Sequence, residues 1–214
     1  YTSSANCSVS GNKVTANSGT GTCTVYATMA GNADYNPVDS NSIIITLDKA
    51  ATTVVITAAN ATYDGNSHGY QTLSVTGADG AALTASSVVY SELVAPDTFV
   101  PLAGAPVNAG KYRVTATYNE STNYLGNSSY DDYEIFKATL TIDVKETLTK
   151  TYGNVYSFSS SDYTVTGLKN SDTVTSVNLA SGGAAAARPV GPYTVTASGA
   201  TGSGLSNYTI NYQP

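Results

Sequence analysis

Cys7 and Cys23 are the only cysteines of this 214-residue chain and His68 is its only histidine, so the stock of side chains for metal or nucleophile chemistry is small. Two thiols sixteen positions apart either close a disulfide or lie as buried free thiols. His68 has no second His or Cys to share a ligand, and it follows Tyr63-Asp64-Gly65-Asn66-Ser67, which marks it as a turn residue. Asp131-Asp132 and the pair Asp34 and Asp39 offer the oxygen ligands that Ca²⁺ prefers. Neither has the spacing of a complete calcium loop, and both read as solvated turn acids. Lys49, Lys111, Lys137 and Lys150 raise the question of a lysine–asparagine crosslink, but no spacing singles out a triad and they read as surface lysines. Asn6, Asn60, Asn119, Asn127 and Asn207 stand in Asn-X-Ser/Thr sequons, which chance explains in a chain so full of Asn, Ser and Thr. No catalytic residue, no metal ligand set and no cofactor is expected.

Composition narrows the classes further. The chain is 41% hydrophobic but only 11% charged, and 9 basic against 15 acidic residues give a net charge of −6. That sign is wrong for a nucleic-acid or anionic-membrane surface. The most hydrophobic run is Ile43-Ile44-Ile45, and no apolar run exceeds four residues, far short of a membrane span of roughly 20 residues. An opening on Tyr1-Thr2-Ser3-Ser4 without Met reads as an excerpt or processed piece of something longer.

The elements that must position these residues are announced by repeats. Thr22-Cys23-Thr24-Val25-Tyr26-Ala27, Lys111-Tyr112-Arg113-Val114-Thr115-Ala116 and Pro192-Tyr193-Thr194-Val195-Thr196-Ala197 are variants of one hexamer, each preceded by a glycine and separated by 89 and 81 residues. Each is followed by an acid- or amide-tyrosine marker: Asp34-Tyr35-Asn36, Asn123-Tyr124-Leu125 and Asn207-Tyr208-Thr209. Two copies also carry a leading set, Lys49-Ala50 to Thr62-Tyr63-Asp64-Gly65-Asn66 and Lys137-Ala138 to Thr151-Tyr152-Gly153-Asn154, each running on to Val-Thr-Gly. A period of that length suits tandem sandwich domains and is too long for a solenoid. Tyr112, Val114 and Ala116 alternate with polar residues, as do Tyr193, Val195 and Ala197, the period of two that marks a half-buried strand. The spacing predicts an all-β chain of tandem sandwich modules in an extended array. Residues 1–48 read as the C-terminal half of one domain, 49–137 as a complete domain, and 138–214 as a sandwich lacking its last strand.

The motifs resemble known repeats. Cys7-Ser8-Val9-Ser10-Gly11 with Gly21-Thr22-Cys23-Thr24-Val25 and Ala30-Gly31-Asn32-Ala33-Asp34-Tyr35-Asn36 resembles cysteine-containing bacterial Ig-like repeats of large surface proteins. Residues 49–137, through Thr62-Tyr63-Asp64-Gly65 and Asn108-Ala109-Gly110-Lys111-Tyr112, resemble a second bacterial Ig-like type. Residues 138–214 are similar to the MBG (mostly bacterial glycine-rich) repeat of the YGX type, through Lys150-Thr151-Tyr152-Gly153, Val165-Thr166-Gly167-Leu168, Val190-Gly191-Pro192-Tyr193 and Gly202-Ser203-Gly204-Leu205-Ser206-Asn207-Tyr208. The resemblance implies an extracellular or cell-surface setting, and in that setting Cys7 and Cys23 are expected to form a disulfide.

The expected function is structural: a spacer, stalk or filament segment of an adhesin-like surface protein. Its partners would be neighbouring domains of the same long chain or copies of itself, with strand complementation as one means of assembly. The alternative is an adhesion module that binds glycan or protein through sandwich-end loops, around Glu92 to Pro106. An enzyme is not expected.

Overall fold

The alternating residues singled out above lie in strands except Tyr193, which precedes β18, and the computed structural model describes residues 4–214. The opening Tyr1-Thr2-Ser3, read above as a cut or processed start, lies outside the described residues. In chain order the first strands are β1 (Cys7–Ser10), β2 (Lys13–Ala16), β3 (Thr22–Val25), β4 (Thr28–Met29), β5 (Val38–Asp39) and β6 (Ile43–Thr46). Next come β7 (Thr52–Thr57), β8 (Ala61–Thr62), β9 (Thr72–Gly77), β10 (Ala82–Leu83), β11 (Ser87–Ala95), β12 (Thr98–Pro101), β13 (Gly110–Tyr118) and β14 (Asn127–Phe136). The last are β15 (Ala138–Val144), β16 (Tyr163–Thr166), β17 (Thr173–Ser181), β18 (Val195–Ser203) and β19 (Tyr208–Gln213). Among the described residues the only helical pieces are single 3₁₀ turns, Ser160–Asp162 and Leu205–Asn207. The chain is therefore all-β, and none of its described helices is long and apolar enough to cross a membrane.

The chain divides into two compact units, each discontinuous in sequence. One holds the residues to Thr57 with Tyr70–Val89 and Val114–Asp131, the other Ala58–Gly69, Tyr90–Arg113 and Asp132–Pro214. The boundary at Lys49 lies within the first and the boundary at Lys137 within the second. The largest sheet, in the order β12-β11-β13-β14-β8, is built from strands of the middle repeat.

In the first unit, β1 and β2 form a hairpin in which Ser10 faces Lys13. Gly11 takes a positive φ of 59°, as the first central position of a tight two-residue turn requires. Strand β3 pairs antiparallel with β6, Cys23 opposite Ile45, and β4 with β5. These strands carry little apolar cover: β2, β4, β5 and β6 are exposed along their whole length. Cover improves at the sheet β10-β9-β7, where Thr52, Val54 and Ile56 are buried and alternate with exposed Thr53 and Val55.

In the second unit, β15 is the central strand of β16-β15-β19, antiparallel to β16 and parallel to β19. Its inward face, Ala138, Leu140, Ile142 and Val144, is the best-buried stripe of the unit, with Leu140 and Ile142 at 0% exposure. Burying each such side chain contributes on the order of 1.5–3 kcal/mol. β17 and β18 pair antiparallel as a separate ribbon. Within the stretch from Glu92 to Pro106, read above as sandwich-end loops, the chain turns at Pro96-Asp97 in the β11–β12 hairpin, with Glu92 opposite Val100 and Leu93 opposite Phe99. The alternating Phe99 and Val100 outweigh the turn signal of the proline, which sits in the hairpin tip rather than in a strand.

Candidate functional site

The repeat markers gather near Lys137 and near Lys49, and a similar arrangement is built at each place. Near Lys137 the 3₁₀ turn Leu205–Asn207 is headed by Gly204 in the left-handed region at φ 71°. Its last residue, Asn207, is held by a bond from its own N–H to the Gly204 carbonyl, 3.0 Å. The Asn207 Oδ1 accepts the backbone N–H of Ala109 at 2.9 Å, and its Nδ2 donates to Asn108 Oδ1 at 3.2 Å. Asn108 is fixed in turn by the Tyr112 hydroxyl, which donates to its carbonyl at 2.8 Å. The amide of one repeat's marker thus closes on the loop just ahead of the preceding repeat's hexamer.

Beside it, Tyr63 and Tyr208 meet edge to face with ring centroids 5.4 Å apart. Both hydroxyls donate to Asp172 Oδ2 at 2.7 Å, and Tyr208 also accepts the Lys169 N–H at 2.8 Å. Tyr63, Asn207 and Tyr208 are each no more than 4% exposed, while the shared acceptor Asp172 is half-buried. Burial first and the Asp172 carboxylate second push Tyr63 upward from the ordinary tyrosine range and raise Tyr208 to about 12.

The surroundings of Lys49 repeat the plan. Asn123 Oδ1 accepts the Gly19 N–H at 2.9 Å, again in the loop before a hexamer. Gly19 has no substitute here, because a Cβ would stand 2.7 Å from the Asn123 Cα. Tyr124 donates to Asp79 Oδ2 at 2.7 Å, and this bond, with the Ala81 N–H, holds Asp79 below the usual carboxylate range. Parallel bridges follow in both copies, Ala50 beside Tyr124 and Ala138 beside Tyr208. Lys49 forms an ion pair with Glu120.

A raised tyrosine has a definite pH signature. The unfolded chain ionises its tyrosines near pH 10, the folded one holds Tyr208 neutral to about 12. The stability these hydroxyls contribute is therefore complete below pH 10 and is lost as pH rises between those values. Melting temperature is expected to stay level from neutral pH to about 10 and to fall steeply above it, with tyrosinate absorbance lagging behind that of the denatured chain. A decline that begins at pH 8 would contradict the assignment.

The other singled-out residues take structural places. Cys7 and Cys23 are joined by a disulfide with Cα atoms 5.6 Å apart, tying the first hairpin to β3. His68 sits in its turn with Nε2 3.0 Å from Asp64 Oδ1, its N–H on the Pro106 carbonyl and its own carbonyl receiving the Tyr133 hydroxyl. Asp132 binds Arg113 through two bonds of 2.7 and 2.8 Å, and Asp39 accepts the Thr28 hydroxyl. Lys150 donates to the carbonyls of Asn154 and Ala185. Among the described residues no three His, Cys, Asp or Glu side chains gather as a metal site. The sequon residue Asn207 is buried in the joint just described.

Asp172 was not among the residues the sequence singled out as chemistry. The signal that finds it is positional: an aspartate stands shortly after Val-Thr-Gly in both copies, at Asp79 and Asp172. Residues 140–214 match the family model described as MBG domain (YGX type). No curated protein and no solved structure matches the chain.

Proposed function

We propose that this chain is a structural spacer of a large extracellular surface protein, a tandem of Ig-like and MBG-type β-domains divided near Lys49 and Lys137. The observation that carries the reading is the recurrence of one joint: Asn123 on Gly19 and Asn207 on Ala109, each beside a tyrosine–aspartate bond. Side chains spent on fixing one domain against the next serve reach and mechanical continuity. The strand-to-strand passages support stiffness, since β14 ends at Phe136 and β15 begins at Ala138 with one residue between them. A disulfide fits an oxidising compartment, and the MBG repeat type fits an extracellular one.

The test is proteolysis at the joint. In the native chain Lys137 should resist trypsin, and Asn207→Ala, which leaves the Ala109 N–H without its acceptor, should speed cleavage there roughly tenfold for each 1.4 kcal/mol lost. Rapid cleavage at Lys137 in the unaltered protein would refute a stiff joint. Saturable binding of an immobilised glycan or host protein would point instead to an adhesion module.

A further inference from the structure

The tyrosine of the third hexamer differs from its counterpart in the second. Tyr112 is 3% exposed and has the Tyr133 ring 5.8 Å away, whereas Tyr193 is 43% exposed. Its exposure does not leave it loose. The ring is seated against Gly183, where a Cβ would come within 2.7 Å of it, and its hydroxyl donates to the Pro189 carbonyl at 3.1 Å. Tyr193 opens on a groove of about 340 Å³ within the second unit. Three more rings line that groove: Tyr152, which is exposed, and the half-buried pair Tyr156 and Phe158, edge to face with centroids 5.1 Å apart. The 150–156 segment is tied to the 184–186 loop beside it. The Tyr156 N–H donates to the Ala184 carbonyl at 2.8 Å, the Gly153 N–H to Ala186 at 3.2 Å, and the Lys150 ammonium to Ala185 at 2.7 Å. Tyr156 is fixed further through its hydroxyl, which donates to Asp162 Oδ1 at 3.1 Å. Tyr156 and Tyr193 are therefore in place before anything binds, which lowers the ordering cost of a ligand.

The charges of the groove narrow the ligand. Two cations, Lys150 and Arg188, face one acid, Glu146, an excess of one positive charge in a chain of net charge −6. Among the described residues neither Arg188 nor Glu146 enters an ion pair. Lys150 donates to the carbonyls of Asn154 and Ala185 and has a third N–H left. A simple anion would leave the rings and Glu146 without a role, and a simple cation would be repelled by Lys150 and Arg188. A phosphate monoester joined to a quaternary ammonium engages all of them. The phosphate, with roughly 1.5 to 2 negative charges at pH 7, suits the guanidinium and the ammonium. The methylated nitrogen suits aromatic faces, which attract a cation too well shielded to hydrogen-bond, and Glu146 supplies its counter-charge.

We propose that this groove binds the phosphocholine group, its methylated ammonium on the rings of Tyr193 and Tyr156 and its phosphate on Arg188 and Lys150. The inference goes beyond the spacer reading and does not rest on it. Trypsin resistance at Lys137 reads the spacer and ligand titration reads the groove, so either can fail alone.

The test titrates the intact oxidised chain with phosphocholine, followed by calorimetry and by the tyrosine ring signals in NMR. One saturable site is expected, with a Kd on the order of 1 mM for so small a ligand, weakened by added salt. Choline alone and glycerol phosphate alone should each bind roughly tenfold or more weakly, since each leaves half of the groove unused. Arg188→Gln should weaken phosphocholine roughly tenfold and leave choline unchanged, and Arg188 lies in an exposed loop, so this arm does not risk the fold. Tyr193→Leu should weaken both ligands, while Tyr193→Phe keeps the ring and should keep the binding. Sedimentation with phosphatidylcholine vesicles that free phosphocholine reverses would support the site and give its source as a lipid surface; a chain that binds phosphocholine and ignores vesicles would give it as a soluble or polymer-borne ester. No saturation by roughly 20 mM phosphocholine, equal binding of glycerol phosphate, or unchanged binding in Tyr193→Leu would overturn the proposal. So would tighter binding of a hexuronate, which would make the groove an acidic-sugar site.

Discussion

Replacing Asp172 by alanine should lower the unfolding free energy of the second unit by roughly 2–4 kcal/mol, because two hydroxyl bonds to a charged acceptor are lost together. Tyr63 and Tyr208 would then keep their burial while losing their acceptor, and an unsatisfied buried donor costs more than a bond never made. Asp172→Asn keeps an oxygen for one hydroxyl and should cost less. The measurement is urea unfolding followed by circular dichroism. A double-mutant cycle with Tyr63→Phe and Tyr208→Phe then separates the two bonds, and strong coupling is expected since both end on one oxygen. Full stability in Asp172→Ala would show that the ring contact alone holds the joint.

Opening the Cys7–Cys23 bridge should have the second large effect, about 3 kcal/mol for a loop of this length. It should also be local. Strands β2, β4, β5 and β6 are exposed throughout, and Ile43 and Ile44 are each about two-thirds exposed, so little besides the bridge and the strand pairing orders this region. Hydrogen exchange in reductant, or in Cys7→Ser with Cys23→Ser, should show protection lost over residues 7–46 and retained over β15. Equal loss in both places would mean that the chain unfolds as one cooperative body. Intact mass with and without reductant checks the bridge itself.

Much of this could be read from the chain before its structure. The period of two in Thr139 to Val144 is the buried stripe of β15, and the three hexamers are β3, β13 and the start of β18. Local alternation is legible because each residue's facing depends only on its neighbours. The joint was not legible in the same way. Tyr63 and Asp172 are 109 positions apart, and Asn207 reaches Ala109 across 98, so no window along the sequence contains both partners. Nor does the repeated hexamer say that Tyr112 is covered and Tyr193 is not, since that difference is made by a strand elsewhere. The β11–β12 hairpin was hidden for an opposite reason: Pro96-Asp97 is a loop signal on its own, and only the pairing of Leu93 with Phe99 shows how short the turn is.

The parallel pairing of β15 with β19 has a mechanical meaning. Ala138 and Gln213 stand at the opposite ends of two strands that lie side by side in the same direction over six residue pairs. A pull applied there slides one strand along the other, and every bond between them is strained at once instead of being peeled open singly. The strand that carries the incoming force is also the one whose Leu140 and Ile142 are fully buried, so the sheet can shear only by dragging its own core through itself. Resistance to such a pull would thus be concentrated in the β15–β19 pair, while β17 and β18, which pair only with each other, could stay slack.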